Sequence, residues 1–271
     1  MKKTSLIVLI LILKFSLIQS QESTKTKLFL EYRITYNLGK TLTKKGYVFN
    51  FNSKKYFFTG KSFFKEELVR KDSFDISTNT RSINLVSAGD GSESLITDFY
   101  KKTIYQKRSI GNDILMVKDY FQEMEWIDTG KNDSIFNYPC KIFKVSFRGR
   151  DYLAHVTSEI ERDNSSGPWK FNGFSGIPLL IYDTENKLRW EILKVNRMSY
   201  QKLEKYANDI ENKQKKLKEV SIEYFVNLYD MTNGGMTLAR GYPHLGSDFE
   251  KQKSKKKFKR KGLELIYEWE K

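Results

Sequence analysis

Gly167-Pro168-Trp169-Lys170-Phe171-Asn172-Gly173-Phe174-Ser175-Gly176-Ile177-Pro178 lies between two runs that read as β-strands. Three glycines, two prolines and three aromatics share these twelve positions. Glycine permits positive φ and close approach of another backbone. Proline fixes φ and removes a ladder donor. The rings supply the packing that holds such a path still. The composition specifies a loop conformation rather than a reaction, and Gly167, Pro168, Trp169, Lys170, Phe171, Gly173 and Gly176 are its candidate motif and ligand-binding residues.

Outward from this loop the chain alternates with a period of two. Downstream, Leu179–Tyr182 is a compact apolar strand, Asp183–Lys187 a turn, and Leu188, Trp190, Ile192 and Val195 the returning strand. Upstream, Phe143, Val145 and Phe147 alternate with polar residues, Gly149-Arg150-Asp151 turns the chain, and Tyr152, Ala154 and Val156 alternate again, which predicts a hairpin. Nearer the N-terminus, Leu28, Leu30, Tyr32, Ile34 and Tyr36 point one way, with Phe29, Glu31, Arg33 and Thr35 opposite. Tyr47–Phe51 and Tyr56–Phe58 continue as a meander across Asn52-Ser53-Lys54. Shorter strands are expected at Thr97–Lys107, Ile114–Val117 and from Glu125, and a polar loop over 61–91. The pattern predicts a mainly β chain, a curved, half-barrel-like antiparallel sheet.

One or two helices are expected near the C-terminus. Ser199 precedes Leu203, Tyr206 and Ile210 at helical spacing, in a stretch rich in Lys and Glu through Val220. Ser221–Met231 reads as a shorter second helix and 236–246 as loop. Lys251–Lys261 is densely basic, the kind of run that usually forms a solvated segment. Leu263, Leu265 and Tyr267 alternate with Glu264, Ile266 and Glu268, which predicts a closing strand.

The first twenty residues have the form of a secretory signal peptide: Lys2 and Lys3, the apolar run Ser5–Leu13, and Ile18 and Ser20 before Gln21. Lys14 interrupts the run and shortens it below the ~20 residues of a membrane span. The expected organisation is a signal peptide over 1–20 and one β-rich domain over 21–271, in the periplasm or secreted. The net charge is +15, of which Lys2, Lys3 and Lys14 supply three, leaving +12. For an exported chain the matching anionic partners are membrane surfaces rather than nucleic acid. Only Phe258 interrupts the basic core near Lys255, too little for base stacking.

Residues with chemistry are sparse. His155, His244 and Cys140 lack zinc spacing, so no metal and no cofactor is expected. Cys140 with His155 could form a thiol and its base, but a lone cysteine opening an apolar strand is usually a small buried hydrophobe. Glu159, Glu161 and Asp163 precede the Gly/Pro loop in a polar setting. No nucleophile-elbow, P-loop or dinucleotide fingerprint occurs.

The segment from Asn137-Tyr138-Pro139-Cys140 to Ile181 resembles the signature region of the GLPGLI family of exported Bacteroidetes-type proteins. Phe147, Gly149, Arg150 and Tyr152 match its turn. Gly167, Pro168, Lys170, Phe171, Gly173 and Gly176 match its core, Trp126 its tryptophan, and Gly262-Leu263-Glu264-Leu265 its closing segment. The family's Leu-Pro-Gly-Leu-Ile is Phe174-Ser175-Gly176-Ile177-Pro178 here. The resemblance implies secretion, a β-rich fold that accepts lipid or peptide on a concave face, and no established activity or cofactor. The leading expectation is a non-catalytic envelope protein that binds an apolar or peptidic ligand or assists an outer-membrane system. The alternatives are a hydrolase acting beside the Gly/Pro loop through Cys140, Glu159, Glu161 or Asp163, and a surface-attachment protein led by the basic run.

Overall fold

The computed structural model describes residues 26–39, 41–60, 93–111, 113–160, 167–232, 260 and 262–270, and the backbone of 74–75 and 80–81. The expected signal peptide, most of the expected 61–91 loop, Glu161, Asp163, His244, the expected 236–246 loop and the basic run save Arg260 lie outside the described residues.

The strands are β1 (Thr26–Asn37), β2 (Thr41–Phe51), β3 (Lys54–Thr59), β4 (Phe74–Asp75), β5 (Thr80–Arg81), β6 (Ser94–Asp98), β7 (Thr103–Ile110), β8 (Asp113–Tyr120), β9 (Ile127–Ile135), β10 (Tyr138–Phe147), β11 (Arg150–Thr157), β12 (Ile177–Asp183), β13 (Leu188–Ser199) and β14 (Lys218–Ser221). Two helices follow β13: α1 (Tyr200–Gln214) before β14, and α2 (Ile222–Met231) after it. Among the described residues, β4 and β5 pair with each other and the other strands form one open, non-closed sheet in the order β14-β8-β7-β6-β3-β2-β1-β13-β12-β11-β10-β9. Every pairing in it is antiparallel except β14 with β8.

The parity of β1 divides the molecule. Leu28, Leu30, Tyr32, Ile34 and Tyr36 face a large apolar cluster that contains Trp169, Phe171 and Phe174 of the Gly/Pro loop. Phe29 faces the opposite side, where Tyr47, Phe49, Tyr56 and Phe58 meet Leu203, Ala207 and Ile210 of α1. A strand buried on both faces loses the simple apolar–polar alternation of a half-buried one. We call the two sides the plugged face and the helix face. A third cluster joins Leu115 and Val117 of β8 to Phe225 and Val226 of α2 and to Tyr267.

The structure differs from the sequence reading in two places near the C-terminus, besides the short β4 and β5 inside the expected 61–91 loop and the turn between β6 and β7 that divides the expected Thr97–Lys107 stretch. The helix expected to reach Val220 ends at Gln214, and Lys218–Ser221 pairs with β8 in parallel. Ser221 then caps α2, its Oγ accepting from Tyr224 N at 3.1 Å. The expected strand at Leu263–Tyr267 is a strap instead. Its Leu265 and Ile266 amides both donate to the Arg148 carbonyl at the β10–β11 turn, so no ladder can form.

Candidate functional site

The Gly/Pro loop fills the plugged face. Gly167, Pro168, Trp169, Lys170, Phe171 and Gly176 of its motif are buried, and Gly173 is exposed. The loop's backbone closes on itself: Gly167 N donates to Phe171 O and Phe171 N to Pro168 O, each at 3.1 Å. Trp169 sits between them at φ 51°, a costly conformation for a bulky side chain. Packing holds it there. Its ring stacks on Trp190 at 6.0 Å and meets Phe171 edge-on at 5.3 Å and Phe147 at 5.8 Å. The glycines are required by contact. A Cβ on Gly176 would lie 2.1 Å from Thr157 O, and one on Gly173, at φ +80°, 2.5 Å from Met124 O. Asn172 ties the loop to the 122–124 segment, accepting from Met124 N at 3.1 Å and donating to Gln122 O at 3.0 Å. Trp126 Nε1 donates to Asn172 O at 2.8 Å.

Two buried lysines lock the plug. Lys170 donates to Asp119 Oδ2 at 2.6 Å and to Glu264 Oε1 at 2.5 Å. Arg148 completes the cluster with a bidentate pair to Asp119 at 2.7 and 2.9 Å and a bond to Glu264. Burial alone would raise the carboxyl of Asp119, but Lys170 and Arg148 hold it well below the usual carboxylate range; Glu264 is lowered in the same way. Arg148 also donates to Glu268 at 3.0 Å and Arg108 to Glu264 at 3.3 Å, so each buried charge of the cluster has an opposite charge beside it. Lys55 on β3 is the other lock, fully buried, its Nζ donating to Phe171 O at 2.7 Å and Gly167 O at 3.2 Å. Burial pushes its ammonium down to about 7.

Of the residues singled out for hydrolysis, Cys140, His155 and Glu159 are among the described residues and are not assembled into one site. Cys140 lies in the plugged-face cluster, its thiol pushed up by burial. Ala154 and Val156 face that cluster, so His155 between them projects from the other side of β11, next to Asp133. Its imidazole is lowered by burial, with Asp133 acting in the opposite sense. Glu159 is exposed in the turn after β11. Among the described residues no group of three His, Cys, Asp or Glu is placed to hold a metal ion.

The helix face has an opening that sequence reasoning missed. Where α1 begins, a groove of about 1050 Å³ runs over β13, β1 and β2. Phe29, Tyr47, Leu193 and Met198 give it apolar walls, and Arg33 and Lys45 stand at one end. The sequence signal for it is the parity of β1: after Phe29 the helix-face positions become Glu31, Arg33 and Thr35, too polar to be covered by another apolar layer.

No family model and no curated protein matches the chain. Among solved structures it is similar to PNGF-II at 12% identity and TM-score 0.48, over 75% of this chain and 32% of that one. The chain therefore spans about a third of the length of PNGF-II. An uncharacterized conserved protein from Thermus thermophilus is similar at 7% identity and TM-score 0.36, over 76% of this chain and 96% of that chain. A LolA-superfamily protein from Nitrosomonas europaea is similar at 7% identity and TM-score 0.25, over 64% of this chain and 86% of that chain.

Proposed function

We propose that this chain is a non-catalytic, exported envelope protein of the GLPGLI type that binds an apolar or peptidic ligand in the groove on its helix face. One observation carries the reading: the two faces of the sheet are used differently. The plugged face is filled by the chain's own loop, with its polar groups turned inward to Lys55, Asp119 and Glu264. The helix face keeps an open, partly apolar groove large enough for a small organic ligand. The resemblance of 137–181 to the family's signature region supports export, as does the form of the first twenty residues. Among the described residues no helix is long and apolar enough to cross a membrane.

The test is native mass spectrometry of the protein purified from the cell envelope, with titration of a fluorescent polyene fatty acid as an apolar probe. The expected result is a co-purifying small mass and saturable probe binding, both abolished by Thr43→Trp, which places a ring in the groove from an exposed position. Absence of both, together with no cross-linked envelope protein, would overturn the proposal. Cross-linking to a protein partner without any ligand would move the reading to assistance of an outer-membrane system.

A further inference from the structure

An open sheet ends in two edges, and each presents unpaired backbone donors and acceptors to any strand that arrives. Among the described residues these edges are β14 and β9. The β14 edge is only four residues long and runs straight into α2 through the Ser221 cap. The β9 edge is nine residues long, and most of its residues are exposed. A strand of that length is a template for strand addition unless its free amides are occupied.

Three of its amides are occupied from within β9. Gly130 N donates to Asp128 Oδ1 at 2.8 Å, Lys131 N to Thr129 Oγ1 at 3.3 Å and Ser134 N to Asp133 Oδ1 at 2.8 Å. Among the described residues β10 is the only strand beside β9, and an amide bonded to a side chain of its own strand is not spent on that ladder. The acceptors are themselves held. Thr129 Oγ1 donates to Ile142 O at 2.7 Å, the second oxygen of Asp133 faces His155 Nδ1 at 2.9 Å, and Asp128 Oδ2 lies 3.7 Å from Lys141 Nζ. The strand is also broken in register: Thr129, Gly130 and Lys131 together oppose Ile142 alone, with Gly130 at φ 72°. Such a bulge bends the edge out of line, and Lys131 within it adds an exposed charge. Burial does not demand these caps. Asp128, Asp133 and Ser134 are exposed, where water would satisfy the same amides.

We propose that Asp128, Thr129 and Asp133 guard the β9 edge, and that the strand they exclude is β9 of a second copy of this chain. Two identical edges related by a twofold axis pair antiparallel and close on themselves, so a β9–β9 dimer is the closed assembly that an unguarded edge permits. The caps consume the donors that this pairing needs, and the exposed carboxylates set negative charge against the carbonyl oxygens of an arriving strand.

The experiment is sedimentation velocity on the purified protein and its variants over a concentration series, with hydrogen exchange followed over 127–135. The wild type is expected to be monomeric. Asp128→Ala and Asp133→Ala together should double the mass and slow exchange over 127–135. Asp128→Asn with Asp133→Asn keeps both acceptors, removes both charges and should stay monomeric. Ser134→Pro, added to the alanine pair, removes one of the freed amides and should restore the monomer. A monomeric alanine variant would overturn the proposal, and so would a wild type that already dimerises through β9. Association that leaves exchange over 127–135 unchanged, or that survives Ser134→Pro, would place the contact elsewhere and overturn it too. An associating asparagine variant would overturn the caps as the guard. Circular dichroism checks that each variant is folded; where the alanine pair is not, the two single alanine variants, each freeing one amide, are read in its place by the same criteria.

Discussion

Lys55 offers the sharpest test of the plug, because its energetics change with pH in a direction the structure dictates. The side chain is fully buried, and its hydrogen bonds among the described residues go to two carbonyls, Gly167 O and Phe171 O. Burial lowers its pKa from 10.5 to about 7. Between those two values the unfolded chain binds a proton that the folded chain lacks, so stability rises with pH across this window. The full shift corresponds to about 5 kcal/mol. Between pH 6 and pH 9 the linkage relation gives about 2.6 kcal/mol of added stability from this group alone. In Lys55→Met that increment disappears. The mutant also leaves the Gly167 carbonyl without its donor, a pH-independent cost of about 1–3 kcal/mol. The assay is urea unfolding at pH 6, 7, 8 and 9, followed by the emission of the buried Trp169 and Trp190. The stability of the wild type relative to the mutant should rise by about 2–3 kcal/mol over the series. The two proteins share every other titrating group, so the difference isolates Lys55. Curves that stay parallel within about 0.5 kcal/mol, the error of such comparisons, would refute the claim that burial neutralises this lysine near pH 7.

Three further outcomes are expected. Gly176→Ala should lower stability by about 3 kcal/mol or more, because its Cβ would meet the Thr157 backbone at 2.1 Å, whereas Gly262→Ala, with its nearest neighbour at 4.0 Å, should be near neutral in the same thermal melts. Lys170→Met should cost about 3–5 kcal/mol by leaving Asp119 and Glu264 underpaired, and a double-mutant cycle with Asp119→Leu should return a coupling well above zero. Both carboxyls are lowered in the fold, so the cluster's stabilisation is present above about pH 4 and is lost as pH falls through the depressed folded values; the Lys170→Met protein should accordingly show a shallower acid limb. Cys140, with its thiol raised by burial, should resist iodoacetamide in the native protein at neutral pH and react after addition of urea; rapid native labelling would contradict its packing.

The strands were legible because their signal is local. Period-two alternation places β1, β2, β11 and β13 within a few residues of where they lie, and Asn52-Ser53 marks the β2–β3 turn with two positive φ angles. The burial of the Gly/Pro loop follows the same logic, since three rings and three glycines in twelve positions have few other uses. What escaped was set by distant partners. Nothing near Lys218 announces β14, because its pairing strand lies about a hundred residues earlier in the chain. Leu263–Tyr267 alternates like a strand, but two of its amides share the Arg148 carbonyl, and Glu264 turns inward to Arg148 and Lys170. Asp119, Arg148, Lys170 and Glu264 look like four unrelated surface charges in sequence. The one local hint is Lys170, a charge set between Trp169 and Phe171, where a solvated residue would be out of place.

The energetics decide which face can serve a ligand. A concave-face site would require the plug to leave. Trp169, Phe171 and Phe174 are rings of a kind that buries about 150–250 Å² each, so exposing all three costs on the order of 12 kcal/mol at the usual coefficient. Breaking the Lys170 and Arg148 cluster adds several more. A ligand that bound there at micromolar affinity, a net release of about 8 kcal/mol, would have to recover this opening cost in addition. Binding at the plugged face would therefore need an occupant that replaces nearly all of the loop's contacts, including acceptors for Lys55 and Lys170. The groove beside α1 asks for no such displacement, since its walls are already formed. The motif loop is thus the part of the chain that fills one side of the sheet, and the proposed ligand is assigned to the groove on the other side.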